Sequence, residues 1–155
     1  MFMINEQIII FKSIIGNILV TSDKNKISKI NTTRKKTHNS KNNLLINAKK
    51  EILEYLLNER KLFSIPFSLK GTNFQKRVWN EILKIPYGET TTYLKISNIL
   101  NSSPRAVGQA CGKNPILLII PCHRVISKTS ALTGFSALGG INIKKKLLSI
   151  ENIKV

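Results

Sequence analysis

The stretch SIPFSLKGT, residues 64–72, divides the chain into two parts that differ in their pattern of apolar residues. Its proline and glycine interrupt regular secondary structure. Runs with strand composition precede it, and helix-capping signals with helical apolar spacing follow it. We therefore predict an α+β protein with a small strand-rich domain over residues 1–66 and a mainly helical domain over residues 67–155.

The N-terminal part is predicted to combine a small sheet with one helix. Gln7–Phe11 and Asn17–Thr21 are rich in β-branched residues and indicate a hairpin, with a third strand near Lys26–Ile30. The polar tract Asn31–Asn43 indicates a loop or a disordered segment. Between Leu44 and about Asn58, apolar residues recur at helical spacing, which predicts an amphipathic helix.

The C-terminal part opens with a capping box. The Thr72 hydroxyl and the Gln75 side chain can each accept a hydrogen bond from the free backbone N–H of the other residue. A helix should follow and end at Pro86-Tyr87-Gly88. Its apolar stripe, more typical of a core than of a ligand site, consists of Phe74, Val78, Trp79, Ile82 and Leu83.

Two short helices are expected next. Thr91 or Thr92 can cap a helix that ends at Asn101, and Ser103 can cap another over Pro104–Cys111. Their three-residue connection is typical of a helix-turn-helix, although small α-hairpins in ordinary cores have the same pattern. The small residues of the second helix indicate a close approach, either by a packed helix or by DNA.

The charge of the chain indicates a polyanionic partner. Lysine and arginine number 25 against 8 acidic residues, a formal net charge of +17. The part after Arg60 has 14 basic and 3 acidic residues, against 11 and 5 before it. Nucleic acid is the leading partner class. An AT-rich genome, which enriches lysine, asparagine and isoleucine together, explains part of the excess.

Several other classes of protein are disfavoured. The apolar runs are too short to cross a bilayer, and the N-terminus lacks a secretory signal, so we expect a cytoplasmic protein without a membrane partner. Cys111, Cys122, His38 and His123 show no zinc-binding spacing. We predict no metal, no cofactor and a monomer.

The sequence IIPCHRVI, Ile119–Ile126, is the strongest indication of chemistry. An isolated cysteine such as Cys122 is most often a small buried hydrophobe at a strand end. Here His123 and a cation are adjacent and could favour a nucleophilic thiolate. After Glu89 the sequence has one acidic residue, Glu151, which could orient the histidine. A cysteine protease would use the same groups, but no protease signature is present.

Two segments together resemble one family. RAVGQACGKNPILLIIPCHRVI, with the preceding GTNFQKRVWNEILKIPYGETTTYLKIS, closely resembles the O6-alkylguanine-DNA alkyltransferases, also called methylated-DNA–protein-cysteine methyltransferases. The resemblance covers Gly71 to Glu151 and is most specific at PCHRV. It implies irreversible, single-turnover transfer of the alkyl group of O6-alkylguanine in double-stranded DNA, with O4-alkylthymine a second candidate substrate.

The resemblance also implies a role for each catalytic residue. Cys122 is the alkyl acceptor, and His123 acts as its base through a water. Glu151 charges or orients His123, and Asn114 shapes the turn before the reactive strand. Because a thioether is a very poor leaving group, each molecule should act once.

The substrate base must leave the duplex to reach a buried thiol. The resemblance implies that Arg105 enters the stack in its place, with the second helix in the minor groove. Tyr93 would crowd the 3′ phosphate and hydrogen-bond the departing guanine, while backbone groups around Val125 and Ser136 would read the guanine edge. Taken alone, Arg105 could be a solvated residue and Tyr93 a core aromatic. The predicted DNA and substrate contacts are Tyr93, Arg105, Ala106, Gly108, Ala110, Arg124, Val125, Phe135 and Ser136.

The sequence departs from the family pattern at two positions. Phe135 stands where some relatives have a tyrosine, and Cys111 stands where asparagine or methionine is common. We expect Phe135 to be compatible with activity and assign Cys111 no catalytic role. A hypothesis of another class remains, a lesion-binding module that flips alkylguanine without repairing it. Relatives of that kind lack the cysteine, so Cys122 favours repair.

Overall fold

The computed structural model describes residues 7–127 and 140–154. The chain divides into two units, Met1–Leu69 and Lys70–Val155. Among the described residues, no helix has the length and apolar character needed to cross a membrane.

The first unit contains a three-stranded antiparallel sheet. Its strands β1 (Gln7–Phe11), β2 (Ile18–Asp23) and β3 (Lys26–Thr32) lie in sequence order. Lys24 and Asn25 connect β2 to β3 with φ values of 49° and 62°, a left-handed conformation suited to a two-residue hairpin turn. The predicted hairpin and third strand are confirmed.

One helix packs on this sheet. Helix α1 (Asn43–Leu56) begins at the N-cap Asn42, whose side chain accepts a hydrogen bond from the backbone of Leu45. Its buried face contacts β1, β2 and β3. The predicted helix is confirmed, and it ends two residues before the expected Asn58. Its buried residues are Leu45, Ala48, Glu51, Ile52, Tyr55 and Leu56.

The two irregular segments of the first unit are both held to the sheet. The backbones of Ile10 and His38 exchange two hydrogen bonds of 2.9 Å, which attach the predicted loop to β1. Ile27 pairs in the same way with the predicted linker, donating to Pro66 and accepting from Ser68, each at 2.9 Å. The first residues of SIPFSLKGT, as far as Leu69, are therefore part of the first unit.

The second unit is mainly helical. It contains helices α2 (Asn73–Leu83), α3 (Tyr93–Ile99), α4 (Pro104–Gly112) and α5 (Gly140–Ile150). Two short parallel strands, β4 (Thr91–Thr92) and β5 (Val125–Ile126), pair with each other. This pairing fixes the start of α3 next to the residues that follow Cys122.

The predicted caps are present. Thr72 and Gln75 form the capping box of α2, Thr92 caps α3, and Ser103 caps α4. Helix α3 packs against α4, and α4 packs against α2. The Trp79 indole donates a 2.9 Å hydrogen bond to the Ala110 carbonyl, which ties the end of α4 to the core of the unit. The predicted α+β class with a helix-turn-helix is confirmed.

Candidate active site

Cys122 lies in a turn and not at a strand end. Residues Cys122–Arg124 form a single turn of 3-10 helix, and β5 begins only at Val125. The expectation that Cys122 lies at a strand end is therefore wrong. Pro121 has no N–H to donate to a strand ladder, and its ψ of 63° turns the chain before the cysteine. The turn buries Cys122, leaving it 4% exposed.

Asn114 holds the Cys122 sulfur directly. Its Nδ2 atom donates to Cys122 Sγ at 3.2 Å and to the Ile120 carbonyl at 2.8 Å. Its Oδ1 atom accepts from the Ile116 backbone N–H at 2.9 Å. Every polar atom of this buried amide side chain is therefore engaged, so its orientation is fixed. A side-chain N–H directed at sulfur stabilises a thiolate.

Glu151 is the centre of the second group of contacts. It is the residue that follows α5, and its exposure is 3%. His123 Nε2 lies 2.6 Å from Glu151 Oε2. The Gly88 backbone N–H donates to Oε1 at 3.0 Å, from a turn in which Gly88 has a φ of 82° that favours glycine. Three segments distant in sequence thus meet at one carboxylate.

Arg124 faces the protein interior, which corrects its predicted contact with DNA. Its Nε and one terminal nitrogen donate to the two oxygens of Glu151 at 2.8 and 3.1 Å. Its other terminal nitrogen donates to the Ile85 carbonyl at 2.8 Å. The guanidinium also lies over the Tyr87 ring, 5.7 Å from its centroid. With all these groups engaged and the residue 8% exposed, Arg124 supports Glu151.

These contacts set the protonation states of Glu151 and His123. Burial disfavours ionisation of Glu151, but hydrogen bonds from His123 and Arg124 outweigh it and hold its pKa at about 2. Burial lowers the pKa of His123 despite the opposing effect of Glu151. The ring is therefore neutral at physiological pH. Because an ionised carboxylate only accepts, Nε2 carries the ring proton and Nδ1 is left as the basic nitrogen.

Lys144 is a site residue that the sequence interpretation missed. It lies on α5, is fully buried at 0% exposure, and donates to the Val125 carbonyl at 2.7 Å and to the Tyr93 hydroxyl at 3.3 Å. Burial lowers its pKa, while charges on Cys111 and Cys122 raise it. The ammonium group is therefore coupled electrostatically to both thiols.

The environment of Cys122 has opposing influences on its acidity. A hydrogen bond with the Cys111 thiol and burial raise its pKa well above the usual range. The amide of Asn114 and the charge of Lys144 act in the opposite direction. The resting sulfur is thus a neutral thiol, and forming the nucleophile requires that its proton be taken up by a base.

The predicted contacts on α3 and α4 fall into two groups. Arg105 is exposed in the first turn of α4, with no hydrogen bond or ion pair to it in the described parts of the chain. Ala106 and Gly108 are half-buried. Ala110, in contrast, is 3% exposed and faces the core. The predicted contact of Ala110 with DNA is therefore wrong for its side chain.

Tyr93 and Gly108 are neighbours. A Cβ at Gly108 would lie 4.0 Å from the Tyr93 ring, an ordinary contact distance. Packing among the described residues therefore does not require a glycine in the middle of α4. Tyr93 is 9% exposed, with its hydroxyl held by Lys144.

The remaining predicted contacts follow Cys122 in sequence. Val125 is buried, its N–H bonds the Cys122 carbonyl, and its own carbonyl accepts from Lys144. That carbonyl retains a second lone pair. Phe135 and Ser136 lie outside the described residues.

A helical signal could have identified Lys144. The residues Lys144, Leu147, Leu148 and Glu151 follow the spacing i, i+3, i+4, i+7, which places the lysine on the buried face of its helix. The sequence interpretation attributed part of the excess of basic residues to base composition and gave Lys144 no role. The positions of Gly88 and Ile85, which contribute backbone groups, leave no comparable trace in the sequence.

Comparison with known proteins agrees with this geometry. Residues 73–153 match the family model described as 6-O-methylguanine DNA methyltransferase, DNA binding domain. That match covers more than half of the chain and includes every side chain that contacts Cys122 or Glu151 above.

Individual relatives extend the similarity over most of the chain. It is 46% identical over 125 residues to the constitutive methylated-DNA–protein-cysteine methyltransferase of Bacillus subtilis, covering 79% of this chain and 72% of that protein. The Methanosarcina acetivorans enzyme of the same name is 40% identical over 151 residues, covering 92% of this chain and 96% of the relative. The crystal structure of Mycobacterium tuberculosis OGT in complex with DNA superposes with a TM-score of 0.81 at 36% identity, covering 92% and 90%.

The buried carboxylate makes stability depend on acid pH. The folded pKa of Glu151, about 2, lies below the usual 4.5, so its contribution is present above pH 4.5 and is lost as pH falls from 4.5 towards 2. We expect a loss on the order of 3 kcal/mol in the free energy of unfolding across this window. Urea unfolding at a series of pH values measures it.

Substitution identifies the group responsible for that slope. Glu151→Gln should flatten the curve in this window and lower stability at neutral pH, because Arg124 keeps its buried charge without a carboxylate. Glu89→Gln, at an exposed position, is the matched control and should keep the slope. Parallel curves for the native protein and Glu151→Gln would contradict this assignment.

Proposed function

The chain belongs to the 6-O-methylguanine DNA methyltransferase family, and from this we propose that Cys122 accepts the alkyl group in its reaction. The protein repairs DNA by direct, irreversible transfer from O6-alkylguanine to a cysteine, as a methylated-DNA–protein-cysteine methyltransferase. Its partner is DNA that contains the alkylated base. We further propose that it acts as a monomer in the cytoplasm, where chromosomal DNA and reduced thiols such as Cys111 and Cys122 occur together.

The observation that supports Cys122 most strongly is that its sulfur and the side chain of the next residue, His123, are each held by a hydrogen bond. Asn114 donates to its sulfur at 3.2 Å, and the neighbouring His123 is held by Glu151 at 2.6 Å. A buried cysteine that served only as packing would need neither contact. The arrangement resembles the general one in which a nucleophile is activated by a base that a third group orients.

The tautomer assigned to His123 determines which nitrogen takes up the Cys122 proton. With Nε2–H donating to Glu151, His123 Nδ1 takes the Cys122 proton, through a water as the family resemblance implies. The carboxylate then stabilises the imidazolium, whose charge would otherwise be costly in a site with 0% exposure. His123 is thus the base, and Glu151 is a positioning residue that also supplies charge.

The transfer itself is an in-line displacement. The Cys122 sulfur forms a bond to the alkyl carbon while the bond from that carbon to guanine O6 breaks. The electron pair remains with the guanine, which regains a proton, and the product on the protein is a thioether. No group in the described site can remove the alkyl group from the thioether sulfur, so each protein molecule is consumed by one reaction.

Lys144 acts on both partners of the displacement. Its ammonium lowers the pKa of Cys122 and so favours the thiolate. By donating to the Tyr93 oxygen, it also leaves the hydrogen of that hydroxyl directed away from itself. Tyr93 can then donate to the guanine as its negative charge develops. We infer that Lys144 is a positioning residue for the reaction.

Access to Cys122 requires the base to leave the helix. Arg105 extends into solvent at the start of α4, and it is the long cationic side chain available there to occupy the gap in the stack. Ala106 and Gly108 present little bulk on the same helix, which would permit a close approach of the minor groove. We also propose that backbone groups of Val125 and Ser136 contact the guanine edge and that Phe135 contributes to substrate binding.

The rival function is lesion binding without chemistry. Such a module would keep Arg105 and the helix-turn-helix but would not need a buried histidine that a carboxylate holds in one tautomer beside the cysteine in sequence. The His123–Glu151–Arg124 contacts favour transfer. Measurement of the product distinguishes the two functions.

Alkyl transfer should leave a specific mass on the protein. After incubation with a duplex containing a single O6-methylguanine, the intact protein should gain one CH₂ and no more, even with excess DNA. Peptide mapping should locate it on Cys122. Cys122→Ala should bind the lesion with no gain in mass. Tight binding by the native protein without a mass change would instead support the lesion-binding module.

Replacing Lys144 should slow the reaction without weakening DNA binding. Lys144→Met keeps the length of the side chain and removes the charge, so single-turnover transfer should fall by about tenfold or more. The rise of the transfer rate with pH should also move to higher pH, since the thiolate loses a stabilising charge. Lys145→Met, at an exposed neighbour, is the control. Equal rates and pH profiles for both variants would contradict a role in the reaction.

Arg105 should matter most when the base is stacked. Arg105→Ala should slow transfer from duplex DNA by about 10- to 100-fold, because unstacking costs a few kcal/mol. The loss should be much smaller for the same lesion in a single strand. Arg34→Ala, which removes an exposed charge in the first unit, is the control. An equal loss on both substrates would mean that Arg105 contributes only charge.

A further inference from the structure

Gln109 is the exposed polar side chain of α4 that the proposed mechanism does not use. It lies one turn after Arg105, and Lys113 follows one turn later, so the three residues share one face of the helix. All three are exposed. In the described parts of the chain, no hydrogen bond or ion pair reaches the Gln109 side chain. Its carboxamide, which can both donate and accept, is therefore available to a partner.

An open groove of about 520 Å³ lies beside this face, between α4 and the start of α2. Gln109 and Lys113 line it on the α4 side, and Thr72 and Gln75 line it on the α2 side. Among the described residues that line the groove, Lys113 carries a positive charge and none is acidic. The groove therefore matches the charge of a polyanion such as DNA, and its uncharged polar side chains can form hydrogen bonds.

We propose that Gln109 contacts the base pairs next to the lesion in the minor groove, and that it favours G·C pairs over A·T pairs there. The inference rests on the proposed function, in which Arg105 enters the stack and α4 lies in the minor groove. Gln109 is four residues further along, a distance of about 6 Å on the helix axis. Because base pairs stack about 3.4 Å apart, its contact lies about one or two pairs from the gap.

The preference follows from the hydrogen-bonding groups on the floor of the minor groove. An A·T pair presents only acceptors there, and a G·C pair adds one donor, the N2 amino group of guanine. The Gln109 amide can donate to an acceptor and accept from that amino group at the same time. Beside an A·T pair, its carbonyl oxygen loses water and gains no donor, which is unfavourable.

The other exposed residues of α4 cannot make this distinction. Arg105 is assigned to the gap in the stack and carries donors only. Pro104 and Gly112 have no polar side-chain atom. Lys113, which follows the helix, also has donors only, and these bind phosphates in any sequence. Gln109 is therefore the exposed side chain of α4 that can accept a hydrogen bond from a base edge.

Competition between duplexes measures the preference directly. Two duplexes with the same O6-methylguanine and one different flanking base pair, each with its own fluorophore, compete for a limiting amount of the full-length protein. The ratio of repaired products gives the relative rate and does not depend on the active fraction of the protein. We expect the G·C duplex to react about fivefold faster than the A·T duplex at one or two flanking positions. Exchanging G·C for C·G should have little effect, since the minor groove barely distinguishes them.

Base analogues place the contact in the minor groove. Inosine in place of the flanking guanine removes only the N2 amino group, so it should abolish the preference. 2,6-Diaminopurine in place of the flanking adenine adds that group and should restore it. Because both analogues also change the stability of the base pair, the same series must be repeated with a variant protein.

Gln109→Met keeps the length of the side chain and removes its hydrogen-bonding atoms. This variant should repair all the duplexes at similar rates. Asn80→Met removes an exposed amide on α2 that does not line the groove, and it is the matched control that should keep the native preference.

The outcomes separate this proposal from its rivals. A preference that persists in Gln109→Met would be a property of the DNA, and an equal loss on every duplex would indicate a phosphate contact, so either result would overturn the proposal. Equal native rates on all duplexes, or a preference for A·T pairs, would overturn it as well. If the native protein transfers no alkyl group, the proposed function fails, and equilibrium binding to the same duplexes still decides whether Gln109 contacts the bases.

Discussion

The C-terminal unit depends on one ionised carboxylate that is almost fully buried. Removing a charge from water costs several kcal/mol unless hydrogen bonds and opposite charge compensate for it. Glu151 receives four such bonds, from the His123 ring, the Gly88 backbone and two nitrogens of Arg124. The donors come from the turn after α2 and from the 3-10 turn, and the accepting carboxylate lies in the segment that follows α5. The same compensation therefore joins three parts of the chain. The position of the reactive turn is a consequence of satisfying this carboxylate.

This coupling explains why the stability of the unit and the chemistry at Cys122 share residues. The contacts that hold the pKa of Glu151 at about 2 also fix the His123 tautomer, because an ionised acceptor requires a proton on Nε2. Arg124 has no contact with the Cys122 sulfur, yet it keeps the carboxylate ionised and in place. A group that serves as a structural counter-ion therefore sets the protonation state of the base beside the nucleophile.

Local signals predicted the secondary structure well, and non-local contacts account for the errors. The caps at Thr72, Thr92 and Ser103 act within four residues, so the sequence alone located the starts of α2, α3 and α4. The 3-10 turn at Cys122 was missed because the apolar residues around it have strand composition. Arg124 was taken for a DNA contact because its partner Glu151 lies 27 residues later, and only the tertiary structure shows that its charge is satisfied internally.

The clustering of Lys144, Cys111 and Cys122 shows how a single-use nucleophile differs from a catalytic one. A turnover enzyme gains from a permanent thiolate, but a thiolate is also the form that peroxides oxidise. The Cys111 hydrogen bond and burial raise the pKa of Cys122, while Lys144 opposes them. The sulfur is thus held neutral at rest, with the means to ionise it close by. For a protein whose capacity is one reaction, keeping the thiol unreactive until a base removes its proton preserves that capacity, and the charge on Lys144 limits how much rate is lost in doing so.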